Sequence, residues 1–189
     1  MTPRRLRVRP LESADIPAIV EYWTTATASD LDRMGVDVAK LPSAAGLTSN
    51  LERLCGGGQD LTTAYSVWRV DDQSIGYSSL KNIRRGDRAE IHLHMWNAGF
   101  RGQGLGDPLF ALSALDFYER FALRQIVCEP SAGNAMPNRM LQRAGYPLLG
   151  TRMGASSELS RVCLLNIYDV RREIARSRAS GSATDAART

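Results

Sequence analysis

The most constraining stretch of the chain is Arg101-Gly102-Gln103-Gly104-Leu105-Gly106. It follows a predicted strand, Glu90 to Trp96, and opens a predicted helix, Gly104 to Phe121. A short apolar strand, Gln125 to Cys128, comes next. Strand, glycine turn, helix and strand in that order make a parallel crossover unit. The alternate glycines leave backbone N–H groups uncovered by side chains. At a helix start those groups have no intrahelical partner, and the macrodipole adds positive potential. The combination predicts a phosphorylated ligand at this turn.

The surrounding pattern is antiparallel. Ala64 to Val70 and Ser74 to Leu80 read as a hairpin around Asp71-Asp72, and Ala89 to Trp96 returns beside it after a turn at Arg84 to Asp87. Leu6 to Val8 reads as a first strand. Ser13 is expected to cap a helix that places Ile16, Ile19, Val20 and Trp23 at helical spacing. Leu31, Met34 and Val38 suggest one further helix. Leu47, Leu51 and Leu54 suggest another, stopped by Cys55-Gly56-Gly57-Gly58. A helix from Asn134 to Ala144 ends at Gly145, strands follow at Leu148 to Met153 and Arg161 to Tyr168, and a short helix closes at Asp169 to Ala175. The fold class expected is α+β: a mixed, mostly antiparallel central sheet with flanking helices. Residues 1–175 are expected to form a single domain. The segment 176–189, rich in Ser, Ala, Arg and Gly and without periodicity, is expected to be disordered.

Composition excludes several classes. No apolar run approaches the ~20 residues of a membrane span, and residues 1–9 are basic without the apolar stretch of a secretory signal. The net charge of +4 is carried almost wholly by arginine, with Lys40 and Lys81 as the only lysines. It forms no basic stripe with interleaved aromatics, so neither nucleic acid nor membrane is an expected partner. Cys55, Cys128 and Cys163 are far apart and odd in number, which suits a reduced, cytoplasmic setting.

At this point the chain resembles the GNAT superfamily of N-acetyltransferases. The family's acetyl-CoA loop reads Q/R-x-x-G-x-G/A, matched by Arg101, Gly104 and Gly106. Ser74-Ile-Gly-Tyr-Ser-Ser-Leu resembles its hairpin strand. Asn134-Ala-Met-Pro-Asn-Arg-Met-Leu-Gln-Arg-Ala-Gly-Tyr146 resembles the N-x-x-S-x-x-V-L-x-K-x-G-F helix of the branch that acetylates ribosomal proteins. Leu6-Arg-Val-Arg-Pro-Leu-Glu-Ser-Ala-Asp15 resembles the opening strand and helix. The likeness covers roughly residues 5 to 168. It implies a GNAT-like fold, with acetyl-CoA as cosubstrate and no metal. Loop residues Arg101, Gly102, Gln103, Gly104, Leu105 and Gly106 would hold the pyrophosphate. A Trp96 backbone N–H would meet the acetyl carbonyl, and Asn134 would contact the coenzyme or substrate. The partner implied is an amine acceptor, either a small molecule or a protein N-terminus, and a homodimer is left open.

The chain also departs from the family. Leu141 stands where many members place a proton-donating tyrosine, and Pro137 stands where the ribosomal branch has serine. Asp107 follows the loop directly. It would repel phosphate if it faced the ligand, so it is expected to face away.

Acetyl transfer needs a neutral amine, an oriented thioester, donors for the oxyanion and a proton for the leaving thiolate. An alkyl ammonium has a pKa near ~10, so a base or a desolvated site must strip its proton. Glu90, His92 and His94 alternate along one strand and share one face. In the family a base stands at the Glu90 or the His92 position, depending on the branch. The candidate catalytic residues are therefore His92 first, Glu90 second and His94 third. Each also has a structural reading: the histidines as hydrogen-bonded strand residues, Glu90 as an ion-pair partner, Asn134 as a helix N-cap. Glu129 at the strand end is equally a contact for the amine or a turn-stabilising carboxylate. Tyr22, Trp23 and Met34 read as acceptor wall or as core.

Competing readings are weaker. A dinucleotide fold would need a third glycine where Asp107 stands, after a continuous apolar strand. A P-loop lacks its Gly-Lys-Ser/Thr. A metal site lacks any third ligand near His92 and His94. A non-catalytic acyl-CoA-binding or sensor module is the alternative, motivated by the missing tyrosine.

Overall fold

A computed structural model of the chain describes residues 4–55 and 62–185. Its strands are β1 (Leu6–Pro10), β2 (Ala64–Val70), β3 (Gln73–Lys81), β4 (Arg88–His94), β5 (Gln125–Cys128), β6 (Leu148–Gly154) and β7 (Cys163–Asp169). Among the described residues they form one sheet, in the order β1-β2-β3-β4-β5-β7-β6. Every neighbouring pair is antiparallel except β4 with β5. That exception is the crossover unit around the glycine loop, as its sequence predicts.

The six helices of the described residues are α1 (Ile16–Thr24), α2 (Ala28–Met34), α3 (Ala44–Cys55), α4 (Gly106–Arg120), α5 (Ala135–Ala144) and α6 (Arg172–Asp185). α4 packs on one face of the sheet, burying Leu109, Phe110 and Phe117 against Trp68, Ile91 and Ile126. Trp68 Nε1 donates to Ser113 Oγ at 2.9 Å, so the indole is satisfied inside that core. On the other face α1 and α3 cover Val67 and Tyr77 with Ile16, Ile19, Trp23, Leu47 and Leu51. Trp23 Nε1 donates to the Tyr77 hydroxyl at 3.0 Å and ties α1 to the sheet. Each such large side chain contributes about 1.5–3 kcal/mol by leaving water.

Two features of the sheet create the site. The first is a divergence. The β4–β5 pairing ends at Glu90 with Val127, and Cys128 pairs instead with Tyr168 of β7. Beyond that rung the two parallel strands part and leave a wedge. The second is a bulge. His94 pairs with Tyr77, yet the next ladder bond runs from Asn97 N to Ile75 O at 3.1 Å. Three steps on one strand are thus spanned by two on the other, which adds a residue at Met95–Trp96.

Several expectations are corrected. β4 ends at His94 rather than Trp96, because the bulge breaks the ladder. The first helix begins with a 3-10 turn at Ser13–Asp15, so Ser13 lies inside it. Glu12 is the residue before it, and the Asp15 carboxylate accepts the Glu12 N–H at 3.0 Å. α2 stops at Met34 because Gly35 turns left-handed, with φ +76°. Val38 therefore falls in a separate turn, Val38–Lys40. Gly56, Gly57 and Gly58, expected to stop α3, lie outside the described residues. The expected disorder from Arg176 gives way to helix as far as Asp185; residues 186–189 lie outside the described residues. α6 docks through Ile174, Ala175 and Ala179, a stripe too small to register as periodicity in the sequence.

Candidate active site

The wedge, the bulge and the glycine loop border a single cleft of about 700 Å³. It runs from Gly102, Gly104 and Gly106 past Asn134 and Met140 of α5 to Met95, His94 and His92. Gly102 and Gly104 both sit at φ +74°, the left-handed region that disfavours any other residue, and no atom lies within 4 Å of where a Cβ would stand. The loop is therefore open on the cleft side, directly before the 15-residue α4.

The loop's side chains are turned to structural work. Arg101 donates from Nε and Nη2 to the Met95 carbonyl, at 3.2 and 2.8 Å, and so clamps the loop to the bulge. Gln103 donates to Gly99 O at 2.5 Å and accepts from Arg4. Leu105 is buried in the core. What the loop presents to a ligand is backbone. Asn134 stands at the N-cap position of α5, but its side chain makes no cap bond. Its Oδ1 is buried without a partner, and the residue borders the cleft.

At the bulge the Trp96 N–H makes no backbone hydrogen bond among the described residues. Gly76 faces it from β3, in a place where a Cβ would stand 2.5 Å from the His94 carbonyl oxygen. Glycine is what lets the strands approach here.

Glu90, His92 and His94 share one face of β4, while Ala89 and Ile91 are buried on the other. Their surroundings differ. Glu90 sits on the last rung before the strands part, half-buried. Burial and the nearby Glu129 charge raise its carboxyl pKa. His92 borders the cleft, and its Nε2 is buried with no partner. Burial, with the Lys81 charge, pushes it down to about 4. His94 is pushed to about 3 by burial and His92. Its ring lies 5.0 Å from both Trp23 and Tyr77, and its Nδ1 is 3.4 Å from the Tyr22 hydroxyl. Both imidazoles are therefore neutral at pH 7. Both rings line the cleft; His92 keeps a buried, unpartnered Nε2, whereas His94 is packed into an aromatic cluster.

Glu129 is buried and accepts from Arg152 Nε at 2.9 Å. Lys81 Nζ meets Glu158 at 2.7 Å, which ties the β6–β7 loop to β3 beside His92. The sequence reading missed Arg152, Lys81 and Glu158, because ion pairs so distant along the chain leave no local signal. Leu141 is fully buried in the core, so the tyrosine's position offers no hydroxyl. Asp107, expected to face away, borders the cleft and is paired with Arg178 of α6.

These features agree with the comparisons to known proteins. Ribosomal L7/L12 alpha-N-protein acetyltransferase RimL, in complex with coenzyme A, superposes with a TM-score of 0.69 at 16% identity, over 87% of this chain and 92% of that one. A spermidine N-acetyltransferase SpeG chimera from Vibrio cholerae and hSSAT gives 0.68 at 16%, over 92% and 99%. The microcin C7 self-immunity acetyltransferase MccE, in complex with acetyl-CoA and AMP, gives 0.66 at 15%, over 86% and 91%. At such identities the likeness establishes the fold. No curated protein is a significant sequence match to the chain. The family model described as acetyltransferase (GNAT) domain matches residues 5–147, which span the glycine loop, the bulge and the parted strands. The chain belongs to the GNAT acetyltransferase family.

Proposed function

We propose that the protein is an acetyl-CoA-dependent N-acetyltransferase that acts on a primary amine by direct attack in a ternary complex. The observation that carries this reading is the continuity of one cleft from the open glycine loop to His92, whose Nε2 has no partner. The residues present suit the coenzyme: an uncovered backbone loop at a helix start for a diphosphate, and an unpartnered Asn134 Oδ1 for a donor group further along. Acetyl-CoA supplies an activated carbonyl and a thiolate leaving group. RimL acts on a protein N-terminus and SpeG on spermidine, so an amine acceptor fits both neighbours.

In this reading the Trp96 N–H donates to the thioester oxygen as charge develops there. His92, held neutral by burial, accepts the amine proton at Nε2. Glu90 lies one rung deeper on the same face and is the second candidate for the base. The Met95 carbonyl is fixed by Arg101, which sets the bulge that aims the Trp96 N–H. With no hydroxyl at Leu141 or Pro137, the thiolate leaves unassisted by either position, which a thiol of pKa near ~8.5 tolerates.

Calorimetry with CoA, followed by thiol release from acetyl-CoA across a panel of primary amines, tests the reading. His92→Gln is expected to lower turnover by about 10²-fold or more while leaving CoA affinity unchanged. Tight CoA binding without thiol release on any amine would favour the acyl-CoA-binding or sensor module. Absence of CoA binding would remove both readings.

A further inference from the structure

Asp107 is the second residue of α4 and borders the cleft beside Gly104, Leu105 and Gly106. A carboxylate there occupies the positive end of the helix, where an anionic ligand would otherwise sit. Its Oδ1 is buried and has no partner. Its Oδ2 accepts from Arg178 Nε at 2.8 Å and from Nη2 as well. The Asp107 carboxylate is mostly enclosed, whereas the Arg178 side chain remains 43% exposed. Close by, the buried Tyr146 hydroxyl is also unpartnered, and the Asp107 charge helps push its pKa up. The Asp107 charge thus reaches the Tyr146 side chain, and Arg178 is the cation bonded to it. Arg178 lies on α6, beyond the 5–147 segment matched by the family.

We infer that Arg178 is a positioning residue for the coenzyme: by neutralising Asp107 it allows a diphosphate to occupy the glycine loop, so that cofactor affinity is set partly by the C-terminal helix. This rests on the CoA reading above. Arg178 acts through Asp107, and its effect is electrostatic. It therefore bears on ligands that carry phosphate and not on the pantetheine arm.

A double-mutant cycle tests the inference by calorimetry on the full chain, with CoA and with S-acetylpantetheine, which has no phosphate. Arg178→Ala is expected to weaken CoA binding on the order of tenfold at low salt, from one uncompensated charge beside the anion. The loss should shrink in ~0.5 M NaCl, where screening is strong. Asp107→Asn alone should leave CoA binding as tight or tighter. In the Asp107→Asn background, Arg178→Ala should be nearly silent, with CoA affinity within about threefold of wild type. S-acetylpantetheine affinity should be the same in all four proteins. The inference is overturned by an unchanged CoA affinity in Arg178→Ala, by an equal loss in the Asp107→Asn background, by a parallel loss of S-acetylpantetheine binding, or by weaker CoA binding in Asp107→Asn. If the wild-type protein binds no CoA, the proposed function falls with it; if wild type binds and the cycle is flat, only the role of Arg178 falls.

Discussion

Replacing Gly76 by alanine probes the bulge with a single carbon atom. A Cβ at this position would lie 2.5 Å from the His94 carbonyl oxygen, 3.0 Å from Met95 Cα and 3.2 Å from Trp68 Cε3. The first two are backbone atoms of the neighbouring strand, so no rotamer change relieves the overlap. A carbon and an oxygen in ordinary contact stand near ~3.3 Å apart, so β4 must retreat by most of an ångström. Overpacking of this kind costs about 1–3 kcal/mol. The stiffer unfolded chain returns about 0.4–1 kcal/mol, which leaves a net loss of up to about 2.5 kcal/mol. The retreat falls on the carbonyl that precedes the bulge, so the Trp96 N–H is displaced as well. A shift approaching 1 Å in a group aimed at the reacting carbonyl lowers turnover by about 10²-fold. Gly46→Ala is the matched control. In α3 its Cβ would meet Pro42 Cβ at 3.4 Å and Ser43 Oγ at 3.5 Å, and alanine favours a helix over glycine by about 0.5–1 kcal/mol. Urea unfolding with linear extrapolation gives the stabilities, and initial rates of thiol release give the turnover. A Gly76→Ala protein as stable as wild type, with turnover within twofold, would refute the assignment of the bulge as both a close contact and the carrier of the catalytic N–H.

Other outcomes follow from the same geometry. His92 and His94 titrate near 4 and 3 in the fold but near 6.5 when unfolded, so the unfolded chain takes up protons first as pH falls. Stability conferred by the pair is complete above about pH 6.5 and is lost below it, at about 2–3 kcal/mol per histidine by pH 4.5. Urea unfolding at pH 7 and 4.5 should show this loss, and His92→Gln should remove about half of it; an equal acid loss in that variant would contradict the assignment. Arg152→Ala leaves the Glu129 carboxylate buried and unpaired, and should destabilise by about 2–4 kcal/mol. Glu129→Gln added to it should recover most of that, as read by thermal melting. Asn134→Ala separates a ligand contact from a helix cap. Its side chain makes no cap bond, so melting should be nearly unchanged while CoA affinity falls severalfold. A stability loss of about 1 kcal/mol with intact affinity would instead identify a cap.

Much of the fold was legible because it is written locally. The hairpin of β2 and β3 follows from alternation around Asp71-Asp72, and β5 matches its predicted bounds, Gln125–Cys128. The crossover from β4 to β5 follows from a glycine turn and an apolar helix of suitable length. The shared face of Glu90, His92 and His94 follows from the two-residue period of a strand. α6 was legible only at its start, where a short helix was expected to Ala175; its continuation was not, because its contact surface is one isoleucine and two alanines whose value depends on what they dock against. The end of β4 was misplaced for a related reason: a bulge is a property of two strands in register, and Gly76 lies about twenty residues from the chain it accommodates.

The sequence by itself determined the parallel unit within an antiparallel sheet, the exposed backbone of the loop and the shared strand face of Glu90, His92 and His94. All of these depend on conformational preferences of neighbouring residues. Tertiary structure alone decided which of the two histidines is packed among aromatic rings. Burial lowers the affinity of both histidines for a proton, and only the packing of Tyr22, Trp23 and Tyr77 around His94 distinguishes one ring from the other. It alone also set Arg178 against Asp107 and Arg152 against Glu129. Charge pairs act through space, and the distance between two residues along the chain carries no information about whether their charges meet.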